Sequence, residues 1–455
     1  MQCGTGSSVP RYRPMNPSQR LLPIDAVRGV VMFFIGVSHI SFYLINDSPT
    51  LASHLRAIGF LASPNFLLMS GLSCGYQLAG SATTATALRS VDRGLFVFLV
   101  GHLLVAASLV YMVPPGTAFE HVVITDSIGV LLCMAPLLTH ASARRLLWIG
   151  GGGYFFASTF ALAWHPTSKL QILLGAVLFS IHEGSVPDVG WVTPTIPYVG
   201  IFLVGVGLGK LISQCQQEGR AEVLNVRLAA AGSIAVVAAL AVNIARHFVK
   251  PFLMQHFAPK NWADVLLTTM NVRHDAPPTL GYALFYGGIG IALLGFIGSL
   301  TRGEAASRLL RVARLAAVIG QASFVSYVVQ QWFIDFVPIW LGFDSWLTPA
   351  TSPLFLAANT LIMYWVAAIW SRHKANRYIT FGLKPGSRPS QWSGSRAPLF
   401  VSTVLLVVVI NILVLQKGPR LTPAKLSLVP TNPYPWAPTK VAGHDNSTGD
   451  GPVDR

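Results

Sequence analysis

Runs of about 20 apolar residues recur along this chain, separated by short polar stretches, and that repetition leaves few folds open. A bilayer core about 30 Å thick is crossed by one helix of about 20 apolar residues. No water inside lipid satisfies backbone N–H and C=O groups, so such runs must be helices packed into a bundle. The expected fold is therefore all-α, a polytopic transmembrane helical bundle of about eleven spans. Composition agrees: 52% of the 455 residues are hydrophobic and only 11% charged, which leaves no solvated surface for a sizeable soluble domain.

The formal net charge of +15 invites a nucleic-acid partner, but the basic residues cluster in short loops between apolar runs. That distribution is the positive-inside pattern of membrane topology, and no nucleic-acid partner is expected. It places the N-terminus, residues 1–23 with Arg11, Arg13 and Arg20, in the cytoplasm. No removable signal peptide is evident, so the first span is expected to act as an uncleaved anchor. Apolar length puts the spans at 24–45, 57–79, 94–113, 122–140 and 146–164. They continue at 195–213, 228–245, 279–299, 316–341 and 353–371.

A cytoplasmic loop at 372–396 leads to a last span at 397–415, and a Pro-rich tail at 416–455 is expected to be disordered and outside. The run 166–193 is too short to cross and reads as interfacial or re-entrant on the outer side, and 246–278 reads as a polar outer loop. Arg89 and Arg93 fall in the loop before span three, on the cytoplasmic side. The four cysteines show no metal-ligand spacing, and no metal is expected.

Span one, "LPIDAVRGVVMFFIGVSHISF", holds an Asp, an Arg and a His in an apolar helix, where each needs a partner or water. Asp25 and Arg28 are three apart and pair on one face. The eleven residues from Arg28 to His39 turn close to three full turns and rise about 16 Å. One stripe thus joins a cation at the inner end to an imidazole beyond the midplane, which suits a ligand with an anionic head and a deeper reactive group. The blander readings are an interfacial anchor for Arg28 and a hydrogen-bonded packing residue for His39. Asp126, heading span four, either caps that helix or orients a histidine or an acceptor hydroxyl. The outer pairs Glu120–His121, His182–Glu183 and His274–Asp275 are weaker candidates. Gly205, Gly207 and Gly209 suit close helix packing better than phosphate binding, since no strand precedes them.

Arg28, ten intervening residues and His39 resemble the Arg-x10-His signature of transmembrane acyltransferases that modify glycans. With "ASPNFLLMSGLSCGY" in span two, the context resembles the bacterial heparan-α-glucosaminide N-acetyltransferase-like family. It is also similar to the membrane proteins that succinylate periplasmic glucans. "TDSIGVLLCMAPLL", "TIPYVGIFLVGVGLGKL", "NVRHDAPPTLGYALFYGGIG" and "IGQASFVSYVVQQWFI" extend the resemblance over about residues 20–340.

It implies acyl transfer from a cytosolic acyl-CoA co-substrate, acetyl-CoA foremost with succinyl-CoA also compatible. The acceptor would be a sugar hydroxyl or amine of a glycan or glycoconjugate on the outer side. His39 is implied as general base or acyl acceptor, roles that suit an imidazole titrating near neutral pH. Arg28, beside Asp25, is implied in binding the pantetheine–phosphate region of CoA or in holding the helix geometry, and the cytoplasmic Arg89, Arg93, Arg144 and Arg145 in attracting the CoA phosphates or in setting topology alone. Some relatives carry Asn where His39 stands, with the reactive His further along, which keeps His54 open. Gln330 and Gln331 stand where the family often has a His. The expected surroundings are membrane lipids and a bacterial inner membrane, and a homodimer is allowed. The alternative from another class is a transporter or flippase of an anionic or lipid-linked solute, which would be expected to show internal repeats that this chain lacks.

Overall fold

The computed structural model describes residues 21–44, 47–80, 84–109, 123–179, 181, 194–256, 260–273, 277–300, 307–340 and 347–382. Residues 1–20, 120–121, 182–193, 274–275 and everything beyond 382, with the N-terminal segment, the outer His pairs, the last span and the tail expected there, lie outside these residues.

Helices dominate the described residues. α1 (Leu22–Tyr43) starts at Pro23, whose fixed φ and missing N–H suit a first turn. α2 (Pro49–Gly59) and α3 (Ala62–Gly80) together form one apolar stretch interrupted at Phe60 and Leu61. α4 (Thr84–Leu109) begins ten residues earlier than apolar length predicts, so Arg89 and Arg93 lie on its first turns and not in a loop. Its amphipathic start is fixed by Asp92, which accepts hydrogen bonds from the Phe381 and Gly382 backbone N–H groups and from the Thr380 hydroxyl.

α5 (Ile124–Cys133) has ten residues, about 15 Å of rise, and breaks at Met134 before a short turn at Ala135–Leu138. Span four is therefore half the length a simple crossing needs. α6 (Ala143–Ala163) is followed by α7 (Lys169–Phe179), a short apolar helix with only Gly175 and Ala176 buried.

The long elements α8 (Thr195–Gln217) and α9 (Ala221–His256) follow. α9 runs far past its expected end at 245, and α10 (Lys260–Thr269) adds another helix where a polar loop was expected. The cause is a small local core: Leu253 of α9 packs with Ala263 and Leu267 of α10 and holds both segments helical. α11 (Leu280–Leu300) returns. α12 (Ser307–Gln321) and α13 (Ser323–Phe336) meet at Ala322 with a bend of 78°. α14 (Ser352–Arg372) closes the described bundle.

Eight of these helices are long and apolar enough to cross a membrane, and the bent α12–α13 pair makes a ninth. The expected eleven thus become eight or nine among the described residues. Span four is too short, span nine is bent, and span eleven falls outside. The large exposed side chains agree with a lipid setting: Trp148 and Phe156 on α6, Ile234 and Val237 on α9, Leu361 and Trp365 on α14. In water these faces would be aggregation sites; in hydrocarbon they cost nothing.

Small residues set the closest crossings. A Cβ on Gly29 would overlap the Ala316 carbonyl oxygen, and one on Gly320 would overlap that of Asp25, so α1 and α12 touch backbone to backbone. Gly205 and Gly209 do the same against Leu68 and Leu72 of α3, which is the packing role their spacing predicts.

Candidate functional site

The closeness of α12 to α1 fixes where the bend falls, and the bend sends α13 across the far half of α1. There, one turn before the end of α1, His39 meets two side chains of α13. Its Nδ1 lies 3.4 Å from Asp335 Oδ1, and its Nε2 lies 3.2 Å from Gln331 Nε2. The two partners are four residues apart, on one face of a segment that widens to a π-helix at Trp332–Phe336.

A proton on Nδ1 facing Asp335 leaves the lone pair on Nε2, where it takes the Gln331 amide N–H. Asp335 is buried and its Oδ2 has no hydrogen-bond partner; the Oε1 atoms of Gln330 and Gln331 are in the same state. Gln330 donates to the Met32 carbonyl at 3.1 Å. Such unpaired buried atoms cost about 1–3 kcal/mol each, so the site tolerates them for a reason other than stability.

A second pair joins α4 to α5. His102 Nδ1 is 3.0 Å from Asp126 Oδ2, and the same oxygen accepts the Val123 backbone N–H at 2.9 Å. Asp126 therefore both caps α5 and holds a histidine, and that histidine is His102 rather than His39. A π-helical turn, Val97–Gly101, immediately precedes His102. Trp332 Nε1 donates to the Leu104 carbonyl at 2.9 Å, tying α13 to the helix of His102.

A cavity of about 180 Å³ opens between α1, α3, α4 and α5. Arg28, Arg89 and Arg93 line it toward the end of the bundle that carries the start of α1, and Thr125 and Phe324 line it deeper in. Arg28 is held by Asp25 at 3.9 Å and by the Met69 carbonyl at 3.2 Å.

The residues singled out from the sequence thus divide. Arg28, Arg89 and Arg93 share one cavity; His39 and Asp126 belong to two separate histidine–carboxylate pairs; His54 stands apart. His54 is exposed on α2, with Nδ1 2.7 Å from the carbonyl of Thr50 in its own helix. Sequence reasoning missed Asp335 and His102. Both carry the signal that singled out His39, an ionisable residue inside an apolar span. Among the described residues no group of three His, Cys, Asp or Glu side chains is placed to hold a metal.

Residues 20–237 match the family model described as heparan-α-glucosaminide N-acetyltransferase, catalytic. That segment is similar to the catalytic region of this family. The match spans just under half of the chain and takes in α1 through the first half of α9, hence His39, His102, Asp126 and all three cavity arginines. Gln331 and Asp335, which frame His39, lie beyond it. No curated protein and no solved structure matches the chain.

Proposed function

We propose that the protein is a membrane-embedded acyltransferase of the heparan-α-glucosaminide N-acetyltransferase-like family. It moves an acetyl or succinyl group from cytosolic acyl-CoA to a sugar hydroxyl or amine on the outer side. The observation that carries this reading is the cavity that gathers Arg28, Arg89 and Arg93 at one end of the bundle and runs inward to Thr125. Three guanidiniums suit a polyphosphorylated donor, and the narrow space behind them suits a pantetheine arm. The positive-inside rule puts that mouth in the cytoplasm, where acyl-CoA is made.

His39 acts as general base or as transient acyl acceptor. Asp335 holds its Nδ1 proton and stabilises the imidazolium that forms on proton uptake. The Gln331 amide occupies the place from which an acceptor hydroxyl or amine would donate to Nε2. Gln330 and Gln331 supply amide groups where relatives have an imidazole, and so read acceptor hydroxyls by hydrogen bonds.

Calorimetry of acetyl-CoA and succinyl-CoA with detergent-purified protein tests this. Donor-selective binding, weakened about tenfold or more in Arg28→Ala, is expected. Absence of binding to either donor would contradict it and favour transport of another solute.

A further inference from the structure

We infer that α12 lies along the cytoplasmic face of the bilayer and docks on the headgroups of anionic phospholipids through Arg308, Arg311 and Arg314. The inference assigns a lipid partner to a helix that the acyltransferase reading leaves without a role, and it stands independently of that reading.

The sequence of α12, "SRLLRVARLAAVIGQ", repeats an arginine followed by an apolar residue every three positions and contains no acidic side chain. Arg308, Arg311 and Arg314 form one stripe of the helix, and Leu309, Val312 and Leu315 a second stripe about 100° around it. All six are exposed, the three apolar ones by 53%, 62% and 53%. Ala313, Ala317 and Gly320, at i, i+4 and i+7, make a third face, and that face is buried. Gly320 holds it against the start of α1, where a Cβ would overlap the Asp25 carbonyl oxygen. A helix with one face on protein, an arginine stripe and an apolar stripe beside it fits the boundary between headgroups and hydrocarbon. Wholly in water the apolar stripe would lie open, and wholly in hydrocarbon the guanidiniums would.

The bend supplies the direction. α12 turns 78° from α13, so with α13 along the crossing direction α12 lies within about 12° of the membrane plane. α13 is long enough to cross without it. With its continuation Val337–Trp340 it is helical from Ser323 to Trp340, a rise of about 27 Å against a hydrocarbon core of about 30 Å. The end of α12 meets the start of α1, which the positive-inside rule puts in the cytoplasm, and the same rule puts three arginines there. An anionic leaflet attracts such a cluster, and guanidiniums pair with phosphate oxygens by charge-assisted hydrogen bonds.

The test uses the full chain in nanodiscs of phosphatidylcholine and phosphatidylglycerol. In a background without native cysteines, Leu309→Cys, Val312→Cys and Leu315→Cys each carry a fluorescent label, and lipids brominated at known depths quench it. Leu309 and Leu315 are about 9 Å apart along the helix axis, and at this tilt their depths differ by only about 2 Å. The three labels are therefore expected at one depth, within about 3 Å. A steady step of most of that 9 Å along the helix would make α12 part of a crossing, and absence of quenching would take it out of the lipid. Either result overturns the inference.

Lipid preference is read at Val312→Cys by comparing brominated phosphatidylglycerol with brominated phosphatidylcholine. The anionic lipid should quench at least about threefold more effectively. Arg308→Gln, Arg311→Gln and Arg314→Gln together should bring the ratio to about one with the depth profile unchanged. A ratio near one in the unsubstituted helix, or one that survives loss of the arginines, overturns the inference. So does displacement of the anionic lipid by soluble glycerol phosphate, which would mark a phosphate site and not a membrane surface.

Discussion

At the scale of single residues, the site is a problem of ionisable groups in an apolar bundle. Each of the two histidines is matched with one buried carboxylate, and the pairs use different helices, so neither group is left as a bare buried charge. Replacing Asp335 with Asn keeps the shape but removes the charge that stabilises the His39 imidazolium. The variant should insert and purify normally while kcat falls about 100-fold, measured by release of CoA thiol from acyl-CoA.

His39, Arg28 and Asp126 were legible in the sequence because intramembrane ionisable residues stand out against apolar neighbours. Their partners were not. Spacing along span one relates Arg28 to His39, but no local pattern says which of the later carboxylates faces that histidine. The pairing spans nearly 300 residues and depends on the bend at Ala322. His54, close in sequence to His39, was the natural rival, yet it faces outward on its own helix.

The elements explain why those residues meet. α12 and α1 are in backbone contact at Gly29 and Gly320, so α12 cannot shift without moving α1. The 78° turn then aims α13 at His39, and the four-residue spacing puts Asp335 on the face of Gln331. Gly29→Val would force a side chain into the Ala316 carbonyl. It should destabilise the protein by about 1–3 kcal/mol or block folding, and thermal unfolding in detergent measures the shift.

Helix positions for the longer spans were legible from apolar length, α6, α8, α11 and α14 falling within a few residues of expectation. The misreadings share one cause, since apolar length does not detect helix that continues through polar sequence. The start of α4 is amphipathic and anchored by Asp92, and the end of α9 is held by contacts with α10. Both are decided by tertiary packing.

For the whole molecule, the proposal is a path with two ends. The arginine-lined mouth faces the cytoplasm if the loops obey the positive-inside rule, and His39 and His102 lie toward the opposite side. In a background without native cysteines, Ser142→Cys should then react with an impermeant thiol reagent only from inside, and His54→Cys only from outside. The reverse pattern would turn the donor mouth outward. Arg89→Ala combined with Arg93→Ala should weaken acyl-CoA binding by at least tenfold, about 1.4 kcal/mol, and more so at low salt, as expected of phosphate contacts.

The central claim is that this bundle catalyses acyl transfer through His39. Its most direct test is release of CoA thiol from acetyl-CoA and from succinyl-CoA by purified protein, with glucosamine as the probe acceptor, in wild type and His39→Ala. The account predicts acceptor-dependent release with one donor preferred, reduced at least 100-fold in His39→Ala while donor binding persists. Release that is unchanged in His39→Ala, or an inactive wild type that binds neither donor, would contradict it.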